Sequence, residues 1–227
     1  NDKDNPLEPF KRAMIATMRA IAENDEHDIT FGHGTPAASG NRIRVPLPSI
    51  GSTDEQINVV RGVGDEFALR LRYHDDRLYK RRAPRSGPAE EMFRWVEDAR
   101  IASIGSLRME GVAKNLDASL EAQCKEAAFD TVTTETETPL SIAVGLLVRE
   151  HLTGRKLPPT AENVVRHWRE FVQERAGDDI AALKDCLLDQ DRFARACRNL
   201  LADLGYAQDF DEPPELEEND QDTETVD

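Results

Sequence analysis

Apolar residues recur every three or four positions along most of this 227-residue chain, and this spacing constrains the fold more than any other sequence feature. The clearest example runs from Arg61 to Arg82. There, Phe67, Leu71 and Leu78 fall on one side, while basic residues occupy the other faces. Apolar residues at such spacing form one face of a helix, and that face is buried against a neighbouring element. The segment therefore predicts one amphipathic helix with these three side chains in the core.

Further helices are predicted wherever the same spacing returns between breaks formed by glycine and proline. They cover the segments Pro6–Ala22, Ser52–Arg82, Ala89–Leu107, Pro139–Gly154, Thr160–Gly177, Asp179–Asp189 and Asp191–Leu204, and a further helix follows Val112 with Leu116, Leu120 and Cys124 on one side. Only Asp28–Phe31 and Asn41–Val45 alternate as strands do, and we predict that they pair as a hairpin. The predicted fold is mainly α: an irregular multi-helix bundle with a small β-hairpin near residues 28–45 and a disordered acidic C-terminal tail.

Local signals refine the ends of these helices. Gly62 and Gly64 favour a bend or a break, because glycine weakens the interior of a helix. Gly111 is expected to end the helix that begins at Ala89. Thr160 is expected to cap the helix that follows two prolines, since its hydroxyl can accept a hydrogen bond from a free amide.

Composition divides the chain into four parts. Residues 1–130 are predicted to form an N-terminal helical part with the hairpin, and residues 139–208 a C-terminal helical part of the same domain. The threonine-rich segment 131–138 has the composition of an exposed link that could be mobile. Residues 209–227 contain ten acidic residues and no basic one, so we predict a disordered acidic linker there. The rest of the chain carries −5, the difference between −15 and −10.

Charge, hydropathy and cysteine content argue against several classes of protein. Acidic residues are interspersed with the arginines, whereas a nucleic-acid backbone requires a clustered basic surface, so we predict no nucleic-acid partner. No apolar run approaches the roughly 18 residues that span a bilayer, and we predict no membrane partner. The cysteines lie far apart without the spacing of a zinc site or a disulfide framework, which favours a reducing cytoplasm.

The search for catalytic and metal-binding motifs leaves only weak candidates. The chain has no P-loop sequence, and Gly62-Val63-Gly64 lacks the third glycine of a dinucleotide-binding fingerprint. His74 and Asp75 are weak candidates for a metal site, because the second histidine of a zinc-protease helix is missing. The same weak hypothesis applies to His27 and His33, beside aspartates at the first strand. We predict no catalytic residue and no resident metal.

Four arginines are the candidates for binding a partner. Arg42 and Arg44 alternate with apolar residues, which places both guanidinium groups on one face of the second strand. Arg70 and Arg77 lie on the polar side of the segment 61–82. All four could contact an acidic surface.

Seven motifs follow one another in a specific order over residues 6–212. They are P-L-E-P-F-K-R-A-M-I-A-T-M-R-A-I-A from Pro6, I-T-F-G from Ile29, G-N-R-I-R-V-P from Gly40, R-G-x-G-D-x-x-A-L-R-L-R-x-H-D from Arg61, G-V-A-K-N-L from Gly111, V-R-E-H-L-T-G-R from Val148 and D-Q-D-R-F-A-R from Asp189. This ordered set resembles the N-terminal region of proteins of the CobT family, which are subunits of aerobic cobaltochelatase.

The resemblance implies a place in a three-part complex that inserts cobalt into hydrogenobyrinic acid a,c-diamide during cobalamin biosynthesis. In that family an AAA+ subunit hydrolyses ATP, a large subunit binds the corrin ring and the metal, and the CobT subunit joins the two. The implied partners are those two subunits, in a hetero-oligomeric ring. The complex would use ATP, magnesium and cobalt, with none of them bound to this fragment.

The resemblance also implies an ending within an acidic linker. CobT chains continue into a von Willebrand factor A domain with a D-x-S-x-S motif, and Asp117-Ala-Ser-Leu-Glu121 does not match that motif. We therefore expect an N-terminal fragment that lacks this domain, with the tail as a solvated tether. A weaker hypothesis is that the tail concentrates Co²⁺ through its carboxylates.

Three functional hypotheses follow from the sequence. The first is a non-catalytic domain of a cobaltochelatase subunit that acts in assembly and coupling. The second is a degenerate metallopeptidase-like domain that keeps a metal ion at His74. The third is an adaptor of another AAA+ protein outside cobalamin synthesis.

Overall fold

A computed structural model describes residues 6–32, 34–85 and 87–210 of the chain. Within these ranges nine α-helices and a three-stranded sheet are formed, which confirms the predicted fold class. The helices are α1 (Glu8–Ala22), α2 (Asp54–Tyr73), α3 (Asp76–Arg82), α4 (Gly87–Arg108), α5 (Glu110–Glu126), α6 (Leu140–Thr153), α7 (Pro159–Val165), α8 (Arg169–Leu183) and α9 (Gln190–Leu201). In the described residues no helix is both long and apolar enough to cross a membrane. The predictions that the tail is disordered and that it binds Co²⁺ concern residues that lie, from 211 onward, outside the described ranges.

The sheet lies near residues 28–45, as predicted, but its pairing differs from the prediction. Strands β1 (Asp28–Phe31), β2 (Ala37–Ser39) and β3 (Arg42–Val45) have the order β1-β3-β2. The hairpin is formed by β2 and β3, while β1 pairs with β3 in parallel. Gly40, with φ of 56°, allows the tight turn between β2 and β3. The sequence could not show this, because β2 is short and exposed and has no strand pattern.

The predicted single helix from Arg61 to Arg82 is two helices. It breaks at His74 and Asp75, which both have extended backbone geometry. Asp75 caps α3: its Oδ1 accepts hydrogen bonds from the amides of Arg77 and Leu78 at 2.8 and 3.1 Å. Phe67 of α2 packs against one hydrophobic cluster and Leu78 of α3 against another, so the predicted common apolar face does not exist. Leu71 is 37% exposed, and the expectation that it lies in the core is wrong.

Gly62 and Gly64 lie inside α2 without bending or breaking it, so that prediction is also wrong. Both glycines allow close helix packing instead. A Cβ atom on Gly62 would stand 2.3 Å from the carbonyl oxygen of Asn115 on α5, and one on Gly64 would stand 2.4 Å from Cε of Met14 on α1. At Gly62 the obstacle is backbone, so only glycine fits there, whereas at Gly64 it is the flexible end of the Met14 side chain, which can move.

Two hydrophobic clusters form the core, and α4 and α5 take part in both. The first contains buried side chains of α1, the sheet and α2, and the second is formed mainly by α6 to α9. On α4, Val96 belongs to the second cluster and Ile101 to the first; on α5, Leu120 and Leu116 divide in the same way. The two clusters therefore share these two helices. Between α5 and α6, two short 3₁₀ turns span Phe129–Thr131 and Glu135–Glu137.

Two predicted helix ends are placed differently. Gly111 lies in the first turn of α5, and the boundary falls at Met109. Thr160 lies inside α7 rather than capping it. Its amide and hydroxyl both donate to the carboxylate of Glu121 on α5, at 2.9 and 2.7 Å, because a charged acceptor from another helix satisfies both groups.

Candidate functional site

The break between α2 and α3 is built around a buried charged network. Arg100 on α4 is only 1% exposed, and its guanidinium donates to both carboxylate oxygens of Glu97, each at 2.8 Å. The Nδ1 atom of His74 lies 2.8 Å from Oε1 of the same carboxylate. Charged groups this deep in a protein require such pairing, because their transfer from water is costly.

The network also satisfies the backbone groups that the helix break leaves without partners. Arg100 donates to the carbonyl oxygens of Tyr73 at 2.5 Å and of Leu187 at 3.3 Å. Gln190 accepts a hydrogen bond from the amide of Asp75 at 2.7 Å and donates to its carbonyl at 3.1 Å. A buried arginine and a glutamine from α9 therefore hold the end of α2 and the start of α3 in place.

Glu97 is ionised in this setting. Burial alone would raise the pKa of its carboxyl group, but the hydrogen bonds from Arg100 and with His74, together with the positive charge of Arg100, hold the pKa below its ordinary value. The resulting ion pair is fully desolvated, and it ties α4 to the joint between α2 and α3. Its role is to position these helices.

The structure does not bring the weak metal candidates together as ligands. Both ring nitrogens of His74 face carboxylates, since Nε2 lies 3.1 Å from Asp76 Oδ1. The Asp75 carboxylate is occupied as the cap of α3. Among the described residues no group of three or more His, Cys, Asp and Glu side chains is arranged to hold a metal ion. His27 lies 3.5 Å from Asn24, and His33 lies outside the described residues.

The four arginine candidates occupy two separate places. Arg42 and Arg44 are exposed on one face of β3, as the alternation predicts; Arg42 pairs with Asp28 at 3.4 Å. Arg77 is exposed on α3. Arg70 lies at the end of α2 and pairs with Asp98 of α4 at 2.8 Å. Arg70 therefore contacts α4, whereas Arg42 and Arg44 lie on the sheet.

A cavity of about 430 Å³ lies between α2, α4, α5 and α6. Its wall includes Leu116, Leu120 and Leu146, with Trp95 and Phe67 beside them. Pockets of this size that are mainly apolar, with a few polar groups, are typical of binding sites. We call this space the apolar chamber.

Charged side chains stand at the edge of the apolar chamber. Glu66 accepts a hydrogen bond from the hydroxyl of Ser119 at 3.0 Å, and burial raises the pKa of its carboxyl group. Burial also raises the pKa of Asp98, although Arg70 opposes this. Arg149 is 9% exposed and donates to Asp117 at 3.0 Å. These groups are paired within the protein, and the Ser119 hydroxyl that donates to Glu66 is buried and is not among the residues that line the chamber.

A second recess, of about 400 Å³, adjoins the apolar chamber, because Arg70 and Arg94 line both. Its other walls come from α3 and the start of α4, and include Tyr79 and Lys80. The Tyr79 hydroxyl is buried and forms no hydrogen bond with the described residues. Burial raises the pKa of this phenol, so it stays protonated and can donate. We call this space the basic recess.

Several of these residues were missed by sequence reasoning. No sequence pattern described above singles out Arg100, yet its guanidinium is the centre of a buried network. The signal was present as Glu97 and Arg100, three residues apart on one helix face. Trp95, Tyr79 and Arg94 carry no comparable signal, because only the packing of α3 and α4 brings them together.

No solved structure matches the chain. A family model does match: it is described as "Cobalamin biosynthesis protein CobT" and covers residues 4–227. That match spans nearly the whole chain, including every helix and strand described above. The chain therefore belongs to the CobT family, whose members take part in cobalamin biosynthesis.

Proposed function

We propose that this chain is a non-catalytic part of an ATP-dependent cobaltochelatase. It joins an AAA+ ATPase subunit to a large corrin-binding subunit, which inserts cobalt into hydrogenobyrinic acid a,c-diamide. The observation that carries the proposal is the CobT family match over residues 4–227. The complex is a cytoplasmic hetero-oligomeric ring in this proposal.

The distribution of charge supports a docking role. Between Arg70 and Arg94 there are eight basic and four acidic residues, so this segment carries +4 in a chain of −15. A local basic surface on an acidic protein favours one orientation of an acidic partner and disfavours others. The buried network at Arg100 keeps the helices that carry this surface in fixed positions.

In this proposal ATP and Mg²⁺ are bound by the AAA+ subunit, and cobalt is cargo of the large subunit. The residues of this chain do not fit a nucleotide phosphate at Gly62-Val63-Gly64. Gly62 and Gly64 lie within α2 and are covered by Asn115 and Met14. Energy from ATP would reach the large subunit through the contacts that this chain makes with both.

A bridging experiment tests the proposal. The AAA+ subunit is immobilised, and retention of the large subunit is measured with and without this chain, in the presence of ATP and Mg²⁺. We expect retention only when the chain is present. An unrelated AAA+ protein serves as the bait control, and an unrelated protein of similar negative charge replaces the chain in a second control.

Failure of the chain to bind either subunit would contradict the proposal. Retention on the unrelated AAA+ protein at the same level would instead favour an adaptor of another machine. A strain without the gene distinguishes these two outcomes further, because loss of cobaltochelatase produces a requirement for added cobalamin.

A further inference from the structure

The basic recess and the apolar chamber are neighbouring spaces that share the side chains of Arg70 and Arg94, and we call the pair the two-part cleft. The recess is lined by four basic side chains, Arg70, Lys80, Arg85 and Arg94, and by two acidic ones, Asp76 and Glu90, so basic residues predominate; it also contains Tyr79, whose hydroxyl has no partner among the described residues. The apolar chamber offers a wall of leucine and aromatic side chains. A binder that uses both parts must place a carboxylate next to a large apolar side chain.

The positive charge around the basic recess is exposed and lies mainly on α3 and the start of α4. The exposed basic residues are Arg77, Lys80, Arg81, Arg85 and Arg94. Arg94 also stands 5.8 Å from the centre of the Trp95 ring, which keeps its guanidinium near the opening of the apolar chamber. Exposed charges at the edge of an interface mainly guide an oppositely charged partner into place.

The Tyr79 hydroxyl is an independent sign that a ligand is missing. Its ring is held between His74 at 5.1 Å and Phe93 at 5.4 Å, so the ring has a fixed position, and Tyr79 is one of the residues that line the basic recess. A buried donor without a partner is costly in a folded protein. A carboxylate placed in the recess would accept this hydrogen bond.

We propose that this two-part cleft is the docking site for an acidic segment of a partner protein. The segment inserts one large apolar side chain into the apolar chamber and places a neighbouring carboxylate in the basic recess. The inference rests on the proposed function, since it names the surface through which one of the two cobaltochelatase partners binds. Charge complementarity selects an acidic protein segment as the occupant.

The test measures the affinity of the full chain for each purified partner subunit. In one variant Lys80→Glu and Arg94→Glu are combined, which reverses two exposed charges at the recess. The matched control combines Arg12→Glu with Lys114→Glu, two exposed basic residues on α1 and α5. We expect the recess variant to bind one partner at least about tenfold more weakly and to lose most of its salt dependence, while the control binds as wild type.

Tyr79→Phe separates docking from folding. Because the hydroxyl has no partner among the described residues of the isolated chain, its removal should leave thermal stability unchanged or higher, but weaken partner binding by about tenfold. Ala102→Met tests the second part of the cleft, since Ala102 lines the apolar chamber. We expect weaker binding from this variant with an unchanged circular dichroism spectrum.

The outcomes distinguish this inference from the proposed function. If wild type binds neither subunit, the proposed function fails and the docking site fails with it. If wild type binds and both the recess variant and Tyr79→Phe bind equally well, only the docking site is wrong. Stronger binding by the recess variant would mean that the acidic segment 211–227 of the chain itself occupies the cleft. Loss of binding after nuclease treatment would mean that the ligand is a nucleic acid. Each of these results overturns the inference.

Discussion

Replacement of Arg100 by methionine probes the centre of the fold. The substitution removes the guanidinium and leaves an unbranched apolar side chain of similar length. Four hydrogen bonds are lost: two to Glu97 and one each to the carbonyls of Tyr73 and Leu187. The Glu97 carboxylate, whose side chain is 5% exposed, then keeps only His74 beside it.

The expected cost follows from the burial of the pair. Breaking a buried ion pair by removing one partner costs about 3–5 kcal/mol, because an uncompensated charge remains in the interior. The total free energy of unfolding of a domain is about 5–15 kcal/mol, so Arg100→Met should remove a large part of it. Adding Glu97→Gln should recover about 1–3 kcal/mol, because the buried charge is then also removed.

The free energy of unfolding that Arg100→Met removes should become smaller as the pH falls. In wild type the pKa of Glu97 lies below its ordinary value of 4.5, so the stabilisation by the pair is fully present above that value. It is lost only as the pH falls through the lower folded-state pKa. In Arg100→Met, burial without the arginine raises the pKa of Glu97 above its ordinary value. The deficit should therefore shrink as the pH falls from 7 toward 5.

Urea unfolding followed by circular dichroism measures these free energies at pH 7 and pH 5. Arg12→Met, at an exposed position on α1, is the control and should lie within about 0.5 kcal/mol of wild type. The reasoning is refuted if Arg100→Met loses less than about 1 kcal/mol at pH 7. It is also refuted if the deficit is the same at both pH values.

Three further predictions use the same thermal or chemical unfolding measurements and thiol labelling. Gly62→Ala should lower the free energy of unfolding by about 1–3 kcal/mol, because its Cβ would stand 2.3 Å from the Asn115 carbonyl oxygen. Gly111→Ala has open space and should be neutral or slightly stabilising. Equal effects of the two substitutions would contradict the close-packing argument. Burial raises the pKa of Asp65 from 3.8 to about 6, so its charge destabilises the fold at pH 7.5. This destabilisation fades as the pH falls through 6 toward 4, because the carboxylate becomes protonated. Asp65→Asn should therefore add on the order of 2–3 kcal/mol to the free energy of unfolding at pH 7.5 and little near pH 4. The three cysteines are buried and should react with a thiol reagent at pH 8 only after unfolding, and a thiol that reacts rapidly in the native protein would contradict this.

The overall class of this fold is readable from the sequence because its cause is local. Helical spacing of apolar residues, prolines near helix starts and glycine at the end of α6 each act within a few residues. The charge contrast between the segment Arg70–Arg94 and the rest of the chain is likewise a property of composition. The ordered motifs, too, indicate the family without any knowledge of contacts.

Elements whose geometry depends on distant residues were not predictable in this way. The break at His74 requires Arg100 and Gln190, which lie in later helices and satisfy the freed backbone groups. Gly62 was interpreted as a weak point in a helix, whereas its real role depends on the approach of α5. A local sequence pattern does not show which distant helix or strand will pack against it.

The sequence by itself determined that this chain is a mainly helical member of the CobT family with a basic segment in an acidic protein. Only the tertiary structure decided where that segment ends up. It brings Tyr79 of α3 against Phe93 of α4, places Arg94 and Tyr79 around one recess, and sets that recess beside an apolar chamber. The physical reason is that periodicity selects secondary structure, while a cleft exists only between elements, and its shape depends on contacts between residues far apart in the chain.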